Sequence, residues 1–189
     1  MRRLLALALV CCSLAVLAPF AATAAETAAA PAGGFQTDLV ADLDGAMKNL
    51  VQLAEAMPAD KYDWRPGPGV RSFAEVLGHV AAGYYVGAAS LGTPVPAGVD
   101  PRKAEEVTAK ESAIAALRAA ITHFEKAVAA VPDAALAEPV ELFGMKLNKR
   151  RVMLLMQGHG HEHTGQAIAY ARVNGVVPPW SQPQPKAGG

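Results

Sequence analysis

Three of the five histidines in this chain, His159, His161 and His163, fall within five residues of one another. An imidazole nitrogen offers a lone pair to a divalent ion, and three such rings can hold one while leaving a position open. The segment around them runs from Arg151-Val-Met-Leu-Leu-Met156 to Asn174-Gly175 without a break and is followed by Pro178-Pro179, which predicts one long helix with a glycine just past its end. At about 100° per residue, His159 and His163 lie about 40° apart, whereas His161 is about 200° round from His159. Two rings therefore point together and one points away.

Val152, Leu155, Met156, His159, His163, Gln166, Tyr170 and Val173 follow the three-and-four spacing of a buried stripe, so the paired rings are expected on the inner face. Two ligands are too few for a tight site, and a third must come from elsewhere. His79 is a third histidine on an apolar face, that of a helix opened by Ser72-Phe-Ala-Glu75 as a capping box and continuing to about Leu91 with an inner stripe of Val76, His79, Val80, Gly83 and Val86 or Gly87. His123 lies beside the stripe of another helix, away from any other candidate ligand, and is read as an ordinary packed or solvated ring. Glu162 is about 100° off the paired-histidine face and reads as solvated. No inward carboxylate is evident as a general base, so a metal-bound hydroxide itself, or Gln166 as a weak catalytic candidate orienting it, would have to serve.

The elements that must position these rings are helices. Residues from about Asp38 to Met57 carry a helical repeat (Leu39, Leu43, Met47, Leu50, Leu53, Met57) that ends before Pro58. The Pro- and Gly-spaced stretch from Pro58 to Arg71 cannot be helical, yet its Tyr62, Trp64 and Val70 predict an ordered loop pinned to the bundle. After a connection from Gly92 to about Val107, Thr108-Ala-Lys-Glu111 reads as a second capping box. It opens a helix to about Val131 with the stripe Ile114, Leu117, Ala120, Phe124 and Val128. Pro132 to Lys149 is an irregular connection with a short hairpin or extended turn around Gly144. Low aromatic content and abundant alanine favour packed helices over a sheet. The expected fold is all-α, a four-helix bundle whose facing side chains can build a metal site in the core.

At the N-terminus, Arg2-Arg3, an apolar run and Ala21-Ala-Thr-Ala-Ala25 have the layout of a secretory signal peptide. An uncleaved anchor is disfavoured by the small-residue cleavage site, and a lipoprotein by the Val10 and Cys11 that precede the two cysteines. Cleavage removes Cys11 and Cys12, the only cysteines, so the mature chain has no thiol for disulfides, nucleophilic catalysis or metal binding. Basic and acidic residues are balanced in the full chain, and nothing suggests nucleic acid or an anionic membrane surface as partner. The expected organisation is a signal peptide over 1–25, a flexible linker over 26–36, one helical domain over 37–180 and a disordered tail over 181–189, with Trp180 packed on the domain. An exported, periplasmic protein with no stable membrane span is expected. A small-molecule substrate or ligand is the expected partner, and homodimerisation stays open.

From Leu39 to Trp180 the chain resembles the DinB-like (DinB/YfiT) family of four-helix metalloproteins. The resemblance rests on the order and spacing of Met57-Pro-Ala-Asp-Lys-Tyr-Asp-Trp-Arg-Pro66, Val70-Arg-Ser-Phe-Ala-Glu-Val-Leu-Gly-His79, Phe143-Gly144, His159-x-x-x-His163-Thr-Gly-Gln166, Tyr170-x-Arg172-x-x-Gly175 and Pro178-Pro179. It implies one histidine on the second helix and two on the last as metal ligands, which are here His79, His159 and His163. The ion would be Zn²⁺, Ni²⁺, Fe²⁺ or Mn²⁺, since ligand type alone does not choose. Family members include thiol-cofactor-dependent S-transferases and a maleylpyruvate isomerase-like group. Bacillithiol and mycothiol chemistry is cytosolic, so the export signal turns expectation away from those activities. A metal-dependent hydrolase or transferase is the first reading, a non-catalytic periplasmic metal- or ligand-binding or stress protein the second, and a bundle whose histidines merely pack the third.

Overall fold

The computed structural model describes residues 34–183, so the expected signal peptide, the expected linker up to residue 33 and the tail from 184 lie outside the described residues. Four helices carry the fold: α1 (Phe35–Ala56), α2 (Phe73–Ser90), α3 (Lys110–Ala129) and α4 (Lys149–Val173). A two-stranded hairpin, β1 (Pro139–Leu142) and β2 (Met145–Asn148), precedes α4. α1 packs against α3 and α4, and α2 packs against the same two helices, which places the consecutive pairs α1/α2 and α3/α4 on the diagonals of the bundle. Neither pair is joined by a tight turn. No helix among the described residues is long and apolar enough to cross a membrane.

The four helices meet at Tyr84. Its ring, fully buried, stacks on Phe124 of α3 at 5.1 Å, its hydroxyl donates to Met47 Sδ of α1 at 3.0 Å, and it lies against Gly160 of α4. A Cβ at Gly160 would collide with that hydroxyl, so glycine is what lets α4 approach. Around this point Leu43, Leu50, Leu53, Phe73, Leu77, Leu117 and Val152 are completely buried, each removing about 1.5–3 kcal/mol worth of apolar surface from water.

Local signals explain most boundaries. Ser72 Oγ accepts from the Glu75 N–H at 3.2 Å while Glu75 Oε2 accepts from the Ser72 N–H at 2.6 Å, the full capping box expected for α2. Asn148 Oδ1 accepts from the Arg151 N–H at 2.8 Å to cap α4, and the helix stops at Gly175, whose φ of 77° lets the Val176 N–H reach back to the Ala171 carbonyl. The loop between α1 and α2 is pinned through Tyr62 and Trp64, whereas Val70, expected to help, is exposed. Tyr62 is buried, donates to the Ala54 carbonyl at 2.6 Å and meets Phe73 edge-on, and Trp64 meets Tyr170 edge-on at 5.3 Å.

Four further expectations are corrected. α3 is not capped by Thr108: its N-cap is Ala109, with no side-chain cap, and its start is instead tied to the end of α1 by Lys110 Nζ, which donates to the Glu55 and Met57 carbonyls at 2.7 and 2.8 Å. α1 begins at Phe35, so the last residues of the expected linker are helical. Val173 is 72% exposed, because the buried arc of α4 (Val152, Met153, Met156, Gly160, His163, Thr164, Ala167, Tyr170, Ala171) is centred near Ala167 and position 173 falls about 120° from it. Trp180, in a short 3₁₀ turn over Pro179–Ser181, is exposed, and it is Val176 that packs on the core.

Candidate metal centre

The α2/α4 seam brings His79, His159 and His163 together. One ring nitrogen of each lies within 4.8 Å of the other two, and the ring centroids are 5.0, 4.8 and 4.5 Å apart in the three pairs. The two α4 rings sit on the α2-facing flank of the buried arc. His163 is buried; His79 and His159 are half-buried.

The hydrogen bonds decide which nitrogens are available. His79 Nδ1 faces Glu105 Oε1 at 2.9 Å, and His163 Nδ1 faces Gln166 Oε1 at 2.7 Å. A carboxylate and an amide oxygen are acceptors only, so both Nδ1 atoms carry a proton and donate, and Nε2 is the nitrogen each ring has left to offer. His159 Nε2 is fully buried without a hydrogen-bond partner. A polar atom orphaned in this way costs about 1–3 kcal/mol unless something fills its place. A cation held among the three rings would, and the residues present therefore fit a divalent ion. The electrostatics agree. Burial, with the neighbouring His163 and His79, pushes His159 down to about 4, and burial lowers His79 as well, so neither ring needs to shed a proton at neutral pH to bind.

A carboxylate missing from the sequence reading completes the surroundings. Glu105 lies in a 3₁₀ segment, Pro101–Glu106, in what reads from sequence as a connection between helices. Asp100 caps that segment by accepting from the Arg102 N–H, and Gly78 lets it settle directly onto α2, since a Cβ there would run into the Ala104 carbonyl. Glu105 then accepts from His79 and, through both oxygens, from Arg71 Nε at 2.9 Å and Nη2 at 3.2 Å. Burial alone would raise its carboxyl, but hydrogen bonds from Arg71 and His79 outweigh that and hold it below the usual range. Glu105 is thus an anionic brace for the His79 ring. Its replacement by alanine is expected to lower divalent-metal affinity 10–100-fold without changing the helical circular dichroism, as measured by competition with a chromogenic chelator. Unchanged affinity would show the brace to be incidental.

Gln166 has a different place from the one expected of it. Its Oε1 accepts from His163 and its Nε2 donates to Tyr170 Oη at 2.9 Å, which in turn donates to the Arg71 carbonyl at 3.2 Å. Both ends of its amide are thus engaged, and it braces the His163 ring where a water-orienting role was expected of it. His161 points away as expected, with Nε2 on Asp42 Oδ2 at 2.7 Å, and Glu162 is exposed. His123 sits beside Tyr85 at 5.3 Å on α3, outside the cluster.

The family model of the DinB superfamily matches residues 42–167, a span that holds all three clustered histidines and Glu105. No curated protein matches the chain. Among solved structures, a DinB-like protein from Bacillus cereus is similar at 15% identity and a TM-score of 0.65, covering 75% of this chain and 93% of that one. A DinB-like protein from Bacillus subtilis is similar at 17% identity and a TM-score of 0.61, covering 78% and 96%. YfiT from Bacillus subtilis, described as "a probable metal-dependent hydrolase with an unusual four-helix bundle topology", is similar at 16% identity and a TM-score of 0.59, covering 78% and 93%. At such identities the likeness speaks to the fold.

Proposed function

The chain belongs to the DinB superfamily, and from that membership and the histidine geometry we propose that it binds one divalent ion through His79, His159 and His163 and is a metal-dependent hydrolase or transferase acting on a small molecule. The observation that carries the reading is the buried, unpartnered Nε2 of His159 beside two rings whose Nδ1 protons are already committed. Three protein ligands are one fewer than a structural zinc site normally has. A bound ion with an open position would polarise a substrate oxygen. The chain's own part is to hold the rings: Glu105 and Arg71 fix His79, and Gln166 and Tyr170 fix His163. The description of YfiT as a probable metal-dependent hydrolase supports the same class of chemistry.

The bundle core closes through Tyr84, Phe124 and the leucines without help from an ion, so metal removal should leave the fold standing. Chelated protein is expected to keep its helical circular dichroism at room temperature. With metal restored at about 100 times its Kd, Tm should rise by about 5–11 °C, the shift that a linkage of about 2.7 kcal/mol gives a domain of this size. Collapse of the helical signal on chelation would make the ion structural and remove the support for catalysis. Turnover of ester or amide substrates, or of other group-transfer substrates, that is lost on chelation and restored by reloading tests the enzymatic reading directly. We further propose, from the Ala22-Thr-Ala-Ala25 site, that the protein is exported and begins near Ala25 or Glu26 when mature. The intact mass of exported protein decides that point.

A further inference from the structure

The hairpin turns at Phe143-Gly144, with Leu142 paired to Met145 across a two-residue turn that requires positive φ at both central positions. Gly144 adopts φ of 75° freely, but Phe143 adopts 53°, and it is the only non-glycine residue with positive φ among the described residues. Asparagine is the residue such a turn prefers at this position. The phenyl ring gains little by burial in return, being 63% exposed. An exposed aromatic held in a disfavoured backbone conformation is poor for the fold on both counts, and strain of this kind tends to sit where a ligand is handled.

Phe143 lines a groove of about 480 Å³ along the outer side of α4, within the size range of small-molecule sites. Phe143, Leu154 and Leu155 give it apolar walls, Arg151 stands at one end, and His159 and Glu162 at the other. Arg151 and His159 are eight residues apart on the helix, about 12 Å along its axis. Among the described residues the Arg151 guanidinium has no ion pair. The groove therefore offers an apolar trough with a cationic end, terminating at one of the metal-site histidines.

We propose that this groove is the substrate subsite of the metal centre, and that it takes an amphipathic anion: a hydrocarbon or aromatic body against Phe143, Leu154 and Leu155, with its anionic group on Arg151 and its reacting end toward His159. That this occupant is a substrate rests on the metal-site reading; that the groove binds it does not. The test therefore uses metal-free protein and monomeric decanoate, whose length suits the trough, with decylammonium as the probe of opposite charge, both followed by calorimetry. Decanoate binds the wild-type protein at least tenfold more tightly than decylammonium, and Arg151→Gln removes the difference. Phe143→Asn weakens decanoate at least tenfold yet raises Tm by about 2–4 °C, because it relieves the turn while taking away the wall. A lowered Tm in Phe143→Asn would make the ring a fold residue and overturn the proposal. Undiminished decanoate binding by that variant, equal affinity for the two probes, or no binding of either would overturn it too. Failure of metal to bind while decanoate binds as described would instead remove only the reading of the site as a metal centre.

Discussion

Replacing His159 by alanine is expected to abolish stoichiometric divalent-metal binding, and His79→Ala and His163→Ala to do the same, while His161→Ala and His123→Ala bind as the wild type does. Loss of a direct ligand should exceed the roughly 100-fold upper end seen for outer partners of metal ligands. The pattern follows from geometry. The first three rings each place a nitrogen within 4.8 Å of the other two, whereas His161 turns out to Asp42 and His123 lies beside Tyr85 on α3. Bound metal is read by elemental analysis after gel filtration, with circular dichroism to confirm that each variant is folded. His161→Ala losing metal as completely as His159→Ala would sink the assignment, because a helix cannot turn residues 159, 161 and 163 to one point.

The helices, and the way α4 divides its histidines, could be read from sequence because both rest on local periodicity: the capping box of α2, the 40° offset of His159 and His163, and the Gly175 stop are all short-range signals. Glu105 could not be read that way. It is 26 residues from His79, in a non-periodic connection, and reaches the site only because Gly78 has no side chain to keep the Pro101–Glu106 segment off α2. A signal was present in Asp100-Pro101, an N-cap with proline at the first position, but it marks a short helical turn and says nothing of where that turn lands. Thr108-x-x-Glu111 failed for the complementary reason. Its local pattern matches a capping box, yet a long-range tie from Lys110 to the end of α1 sets the helix start one residue later. Gln166 shares the helix face of His159 and His163, but helical periodicity alone does not distinguish a side chain that faces the space between the rings from one that braces a ring from behind.

Gly83→Ala is expected to remove metal binding about as thoroughly as the loss of a ligand does, and to leave the fold intact. A Cβ at this position would lie 2.6 Å from His159 Nε2 and 3.0 Å from its Cδ2, inside van der Waals contact with the nitrogen that has no other partner. The only atoms in its way belong to the end of one side chain, so the relief is a rotation of the His159 ring out of the cluster. Neither Tyr84 nor the bundle axis needs to move. The substitution also replaces glycine by alanine inside a helix, which favours the helix by about 1 kcal/mol, so Tm should hold or rise as affinity falls. Gly160→Ala makes the contrast. Its Cβ meets the Tyr84 hydroxyl, which is buried, stacked on Phe124 and unable to yield, so that variant should lose about 1–3 kcal/mol of stability or more. Gly158→Ala meets nothing within 4 Å and serves as the control for a helical glycine replacement in α4. Chelator competition and thermal melts on the three variants separate the cases. Wild-type metal affinity in a folded Gly83→Ala protein would mean that the His159 nitrogen is not a ligand, and the three-histidine centre would fall with it.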